Sequence, residues 1–233
     1  MRELAERHGG FSISVDPGAV AASAEAGQAP ALGEQVWLEM LADGVTFDLL
    51  GLAPGPATER PSCAYSYALE EAATPGVEAL TLRPGPHLVG GETMLPVVRS
   101  LARLAASLAQ CDGVVAVAWH PARCWCSPRY FRDSVLRWIE GGVFPGLGLA
   151  TLAPMPDGGM QSQGLALFTG QELRLEPELA ADRTAGAKVA LRLMHWLVEH
   201  GRLEAKETLP GPDGRPLHLE PSANGRFVRV WRG

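Results

Sequence analysis

Apolar residues recur at helical spacing in three stretches of the chain. In Leu95 to Gln110 they fall at Val97, Val98, Leu101, Leu104, Ala105 and Leu108, with Arg99, Ser100, Arg103, Ser107 and Gln110 mostly on the other side. That is the period of an amphipathic helix, and Cys111-Asp112-Gly113 ends it. A second helix is predicted after Ser127-Pro128, a capping serine with proline in the first turn. Its apolar face is Phe131, Val135, Trp138 and Ile139, and it stops at Gly141-Gly142. The third runs over 182–200, with Ala190, Leu193, Met194, Leu197 and Val198 on one face and Gly201 at its end. A shorter helix is predicted from Gly18 to Ala26, after Asp16-Pro17.

Between these lie runs with strand character. Phe11 to Val15 alternates apolar and small polar residues. Val36–Leu41 and Val45–Leu52 flank Asp43-Gly44, which is a hairpin signal. Cys63 to Ala73 fits either a strand or a short helix. Leu80–Leu82, Val114–Trp119, Leu147–Leu152, Gly164–Phe168, Glu172–Glu176, Leu217–Leu219 and Phe227–Trp231 complete the set. Val114–Trp119 has no polar alternation and is expected to be covered on both faces. Residues 153–162, rich in glycine and proline, read as a linker. The expected class is α+β: mixed or antiparallel sheets with amphipathic helices packed on one face, two related ferredoxin-like halves being one arrangement of it. The expected division is 1–145 and 146–233, the second domain packed closely on the first.

The run Gly164-Leu165-Ala166-Leu167-Phe168-Thr169-Gly170, the strand from Glu172, the helix over 182–200 and Glu207-Thr208-Leu209 together resemble a bacterial domain of unknown function, numbered 4261 among such families. Thr169 stands between Phe168 and Gly170, which are adjacent in the commonest form of that motif. The resemblance covers about residues 147–220. It implies a bacterial, cytosolic protein and brings no catalytic residues with it.

Composition narrows the function classes. The 233 residues are 46% hydrophobic and 20% charged, values of an ordinary globular protein. A net charge of −6 argues against nucleic acid, which requires concentrated Lys and Arg. The clusters Arg129/Arg132 and Arg226/Arg229/Arg232 are too small to change that. No apolar run reaches membrane-spanning length, and the charged stretch Met1–His8 is no secretory signal. A cytoplasmic protein with reduced Cys63, Cys111, Cys124 and Cys126 is expected.

Candidate chemistry concentrates at His87, His120, Cys124 and Cys126. His120 with the Cys124-Trp125-Cys126 pair offers imidazole and two thiolates to a soft metal. A fourth ligand would have to come from Cys111, Cys63 or His87, and Cys-x-Cys lacks the two-residue gap of zinc knuckles. Neither a metal nor another cofactor is therefore expected. A cysteine nucleophile with His120 or His87 as base is the enzymatic alternative, a small hydrolase or thiol enzyme, although no nucleophile signature surrounds any of the four. Pro84–Glu92 holds glycines that could expose backbone N–H groups, but Pro86 removes a donor and there is no phosphate-loop lysine. Glu172, Glu176, Glu178 and Asp182 read as a solvated acidic string. The balance leans away from an enzyme, towards a protein-interaction module whose ligand is another protein or a second copy of the chain. Nucleic acid and membrane are not expected partners.

Overall fold

A two-residue turn organises the first part of the fold. Asp43 and Gly44 both have positive φ, +50° and +80°, the conformation whose twist matches paired strands. They join β2 (Leu38–Ala42) to β3 (Val45–Leu50), with Ala42 opposite Val45 and Glu39 opposite Asp48. In this computed structural model, residues 10–16, 37–53, 55–69 and 76–233 are described. The helix expected over Gly18 to Ala26 lies outside them, as does the end of the Cys63–Ala73 segment.

The described chain forms helices with antiparallel and mixed sheets, an α+β fold, divided into two units. The first comprises Met1–Pro61 and Glu71–Val115, the second Ser62–Glu70 and Ala116–Gly233. The expected boundary at 145/146 falls inside the second unit. Strand pairing accounts for the early segment: β4 (Tyr65–Tyr67) lies parallel to β7 (Cys124–Cys126), drawing Ser62–Glu70 into the later body.

In the first unit β1 (Ser12–Val15), β2, β3 and β5 (Thr81–Pro84) form an antiparallel sheet in that order. Helix α1 (Leu95–Leu108) covers one face, burying Val97 and Leu104 against Met40, Phe47 and Leu49. Its hydroxyl Ser100 Oγ donates to Asp43 Oδ2 at 2.6 Å and Arg103 Nη1 to Asp43 Oδ1 at 2.9 Å, tying the helix to the hairpin turn. Glu39, Leu41, Asp48 and Arg83 alternate onto the other face.

The second unit holds a six-stranded sheet ordered β11 (Glu207–Pro210), β12 (Pro216–Pro221), β13 (Phe227–Arg232), β10 (Glu172–Leu175), β9 (Met160–Gln163) and β8 (Thr151–Pro154). Strands β10 and β13 are parallel. The connection between them includes α4 (Pro177–Ala180) and α5 (Arg183–His200), whose buried Ala190, Leu193, Met194 and Leu197 form the inward stripe. Helix α2 (Pro128–Ile139) buries Phe131, Val135 and Trp138, and Ser127 Oγ accepts from Tyr130 N as its cap. A smaller sheet, β4-β7-β6, uses β6 (Val117–Trp119). Among the described residues the two units do not repeat one topology.

Several strand assignments change. The run from Val114 gives only three strand residues, and Val117 and Ala118 are half-buried, so it is not a strand covered on both faces. Residues 153–162 are not a linker: β8 and β9 pair antiparallel, with Met155 and Gly159 closing the hairpin. Leu147–Ala150 is a turn rather than the beginning of a strand. Residues 166–169 form the short helix α3 (Ala166–Thr169), not a strand. Gly164 at φ +93° turns the chain out of extended geometry, and Gly170 at φ +75° closes the helix.

Candidate functional site

The four predicted chemical side chains belong to different units. His87 lies in the first, in a 3-10 turn at Pro86–Leu88, while His120, Cys124 and Cys126 lie in the second. Cys124 and Cys126 both point to the covered side of β7, where each is 0% exposed. Cys124 Sγ donates to the Gly148 carbonyl at 2.9 Å. Its hydrogen bond with Cys126, followed by burial, pushes its pKa up, so the thiol stays protonated. Burial and the neighbouring Cys124 likewise raise Cys63, to about 11. Tyr67 and Tyr130 are raised by burial beside the same sulfurs. His120 is exposed, and among the described residues no hydrogen bond or ion pair joins it to either cysteine.

This is packing chemistry: small polarizable groups filling a closed space under Gly148, where an added Cβ would come within 3.4 Å of Cys126 Sγ. Among the described residues no three His, Cys, Asp or Glu side chains stand where they could hold a metal ion. An open cleft of about 370 Å³, lined by Ala68, Ser127, Arg129, Tyr130, Asp133, Ser134 and Arg137, contains none of the four predicted residues. Iodoacetamide applied to the native chain near neutral pH should leave Cys124 and Cys126 unmodified for at least about a hundred times longer than in denaturant, because only exposed thiolate reacts. Peptide mapping checks this, and fast native labelling at either position would contradict it.

The acidic string is structural in part. Glu172 accepts hydrogen bonds from Ser162 Oγ and from the backbone N–H groups of Gly164, Leu165 and Ala166. Glu176 pairs with Arg229 at 2.8 Å, and the Asp182 carboxylate caps α5 through Thr184 N and Ala185 N. Glu178 and Asp182 keep the exposed character expected of all four, whereas Glu172 and Glu176 are half-buried.

A polar row crosses the first unit's sheet. Glu39 sits opposite Asp48, and Asp48 opposite Arg83. Ser14 Oγ donates to Glu39 Oε1 at 2.6 Å, and His87 Nε2 lies 3.9 Å from Glu39 Oε2. Asp48 is 4% exposed. Burial raises its pKa, Arg83 opposes the rise, and Glu39 adds to it. Among the described residues Asp48 Oδ1 and Trp119 Nε1 are the buried polar side-chain atoms without a hydrogen-bond partner. Of this row, sequence reasoning singled out only His87. A charged residue inside the otherwise apolar Phe47-Asp48-Leu49 was the available signal.

From β5 the row leads into a projecting turn. Gly85 N donates to Thr46 O at 2.9 Å, and a Cβ at Gly85 would come 2.7 Å from Thr46 Oγ1, so the base of the turn admits only glycine without rearrangement. Successive backbone bonds, Leu88 N to Gly85 O, Gly91 N to Leu88 O and Met94 N to Gly91 O, carry the chain to the start of α1. The turn presents Val89 at 84% and Met94 at 61% exposure.

No family model, curated protein or solved structure matches the chain. No helix among the described residues is long and apolar enough to cross a membrane.

Proposed function

We propose that the protein acts by binding another polypeptide through the turn at residues 85–94, and that it does so without catalysing a reaction. The observation that carries this reading is the exposure of Val89 and Met94 on a backbone already fixed by its own hydrogen bonds. Two strongly exposed apolar side chains on one turn are what supports an interaction surface there. A fixed turn loses little conformational freedom on binding, which favours affinity. His87 and Glu92 on the same turn supply a polar rim. The alternative, a thiol enzyme at His87, His120, Cys124 and Cys126, has less support, since both buried sulfurs lack an imidazole partner among the described residues.

The thiols also fit a reducing compartment, so we place the protein in the cytoplasm. Kinship with the uncharacterised bacterial domain family, over about residues 147–220, belongs to the same proposal and adds no activity to it.

A photo-crosslinking amino acid placed at Glu92, exposed on the turn, tests the reading in cells expressing the full chain. One discrete adduct is expected, its mass separating a second copy of the chain from a different protein. A diffuse smear, no adduct, or an equal yield of the same adduct from the photoreactive residue at an exposed position elsewhere would overturn it.

A further inference from the structure

We propose that Asp48 is a proton-controlled element of the first unit: neutral, it is accommodated within the ladder β2–β3–β5, and on ionising it loosens that ladder. Its side chain is 5% exposed and Oδ1 has no hydrogen-bond partner. Directly opposite on β2 stands another carboxylate, Glu39. On the other side Arg83 of β5 reaches Oδ2 only at 3.6 Å and is itself 54% exposed. That distance is too long for a good hydrogen bond, and solvent screens an exposed guanidinium.

The titratable and charged groups facing Asp48 among the described residues are Glu39 from β2, Arg83 from β5 and His87 from the turn. Glu39 is in turn held by Ser14 of β1. An ionised Asp48 is thus a buried charge whose opposite charges, Arg83 and His87 in its cationic form, are both largely solvated, with a like charge across the strand pair. A buried charge so poorly compensated is costly, whereas a neutral carboxyl is far easier to bury.

The sign of the pH dependence follows from proton binding. Burial holds the folded-state pKa of Asp48 above its ordinary 3.8. Between that value and the raised one, the folded chain binds more protons than the unfolded chain. Stability is therefore full below the ordinary value, falls as pH rises through the window, and levels off above it. None of this depends on whether the turn at 85–94 binds a partner.

Hydrogen exchange on the full chain from about pH 4 to about pH 8, corrected for intrinsic rates, tests the proposal. Protection of β2, β3 and β5 amides should fall by up to about tenfold per pH unit inside the window, while β12 and β13 stay level. Asp48→Asn should abolish the dependence, and Glu39→Gln should make it shallower. Flat protection in the unmodified chain, or an unchanged slope in Asp48→Asn, would overturn the proposal. If Asp48→Asn does not fold, an unchanged slope in Glu39→Gln does so instead.

Discussion

Replacing Gln171 with alanine is expected to destabilise the second unit by about 3–5 kcal/mol, lowering its melting temperature by roughly 10 °C or more. Gln171 is 0% exposed. Its Nε2 donates to the Leu203 carbonyl at 3.1 Å and its Oε1 accepts from Leu203 N at 2.8 Å. One side-chain amide thus satisfies both backbone groups of a buried residue in the segment after α5. Alanine removes both bonds, strands two buried polar groups and leaves a cavity. Gln171→Met separates the contributions: it refills the space but leaves Leu203 unpaired, so it should recover only the cavity part. Thermal unfolding with amide exchange at Leu203 is the measurement. A loss below about 1 kcal/mol in Gln171→Ala would show that Leu203 finds other partners.

The second large effect is expected at Glu172. Its carboxylate gathers the Ser162 hydroxyl and three consecutive N–H groups, from Gly164 to Ala166. Those amides open α3 and have no other acceptor one turn back, as at any helix start. Charged acceptors make the stronger hydrogen bonds. Glu172→Ala should cost about 2–4 kcal/mol and release the amides of residues 164–166 to fast exchange. Glu172→Gln keeps one carbonyl oxygen and should retain part of the stability. Urea midpoints check the order; a Glu172→Gln midpoint equal to that of the unaltered chain would mean that the charge contributes nothing, and one equal to that of Glu172→Ala that the remaining oxygen recovers nothing.

Local rules made much of the architecture legible. Helices α1, α2 and α5 follow from apolar spacing, with the Ser127 cap opening α2; the Asp182 cap of α5 was hidden in what reads as a solvated acidic string. The hairpin at Asp43-Gly44 was readable too, and with it the register of its strands. A two-residue loop fixes register, so counting outward from Ala42 and Val45 places Glu39 against Asp48. The pair that crosses the sheet was therefore present in the pattern, although its burial was not.

Long-range pairing was not readable in this way. Nothing local in Tyr65–Tyr67 says that it joins Cys124–Cys126, and that pairing sets the division of the chain. Gly164–Phe168 looked extended because apolar runs of strand length do not distinguish a strand from a buried helical turn. What ends the extended geometry is Gly164 at positive φ, with the Glu172 carboxylate accepting hydrogen bonds from the amides of residues 164–166. Reactive residue types such as the thiols are conspicuous in a sequence, whereas their exposure is not. Val89 and Met94, ordinary as residue types, stand out only once their exposure is known.

Two claims stand or fall together: that the exposed turn at 85–94 is the binding surface and that the thiols are core. The most direct measurement compares adduct yield from the photoreactive residue at Glu92 in three versions of the full chain: unaltered, Val89→Asp with Met94→Asp, and Cys124→Ser with Cys126→Ala. Aspartate at two exposed positions should leave the melting temperature within about 2 °C and reduce the adduct by tenfold or more, the effect of losing apolar anchors. The cysteine variant should keep the adduct in whatever fraction remains folded. An adduct that survives both aspartates, or one lost only when the cysteines are replaced, would contradict the account.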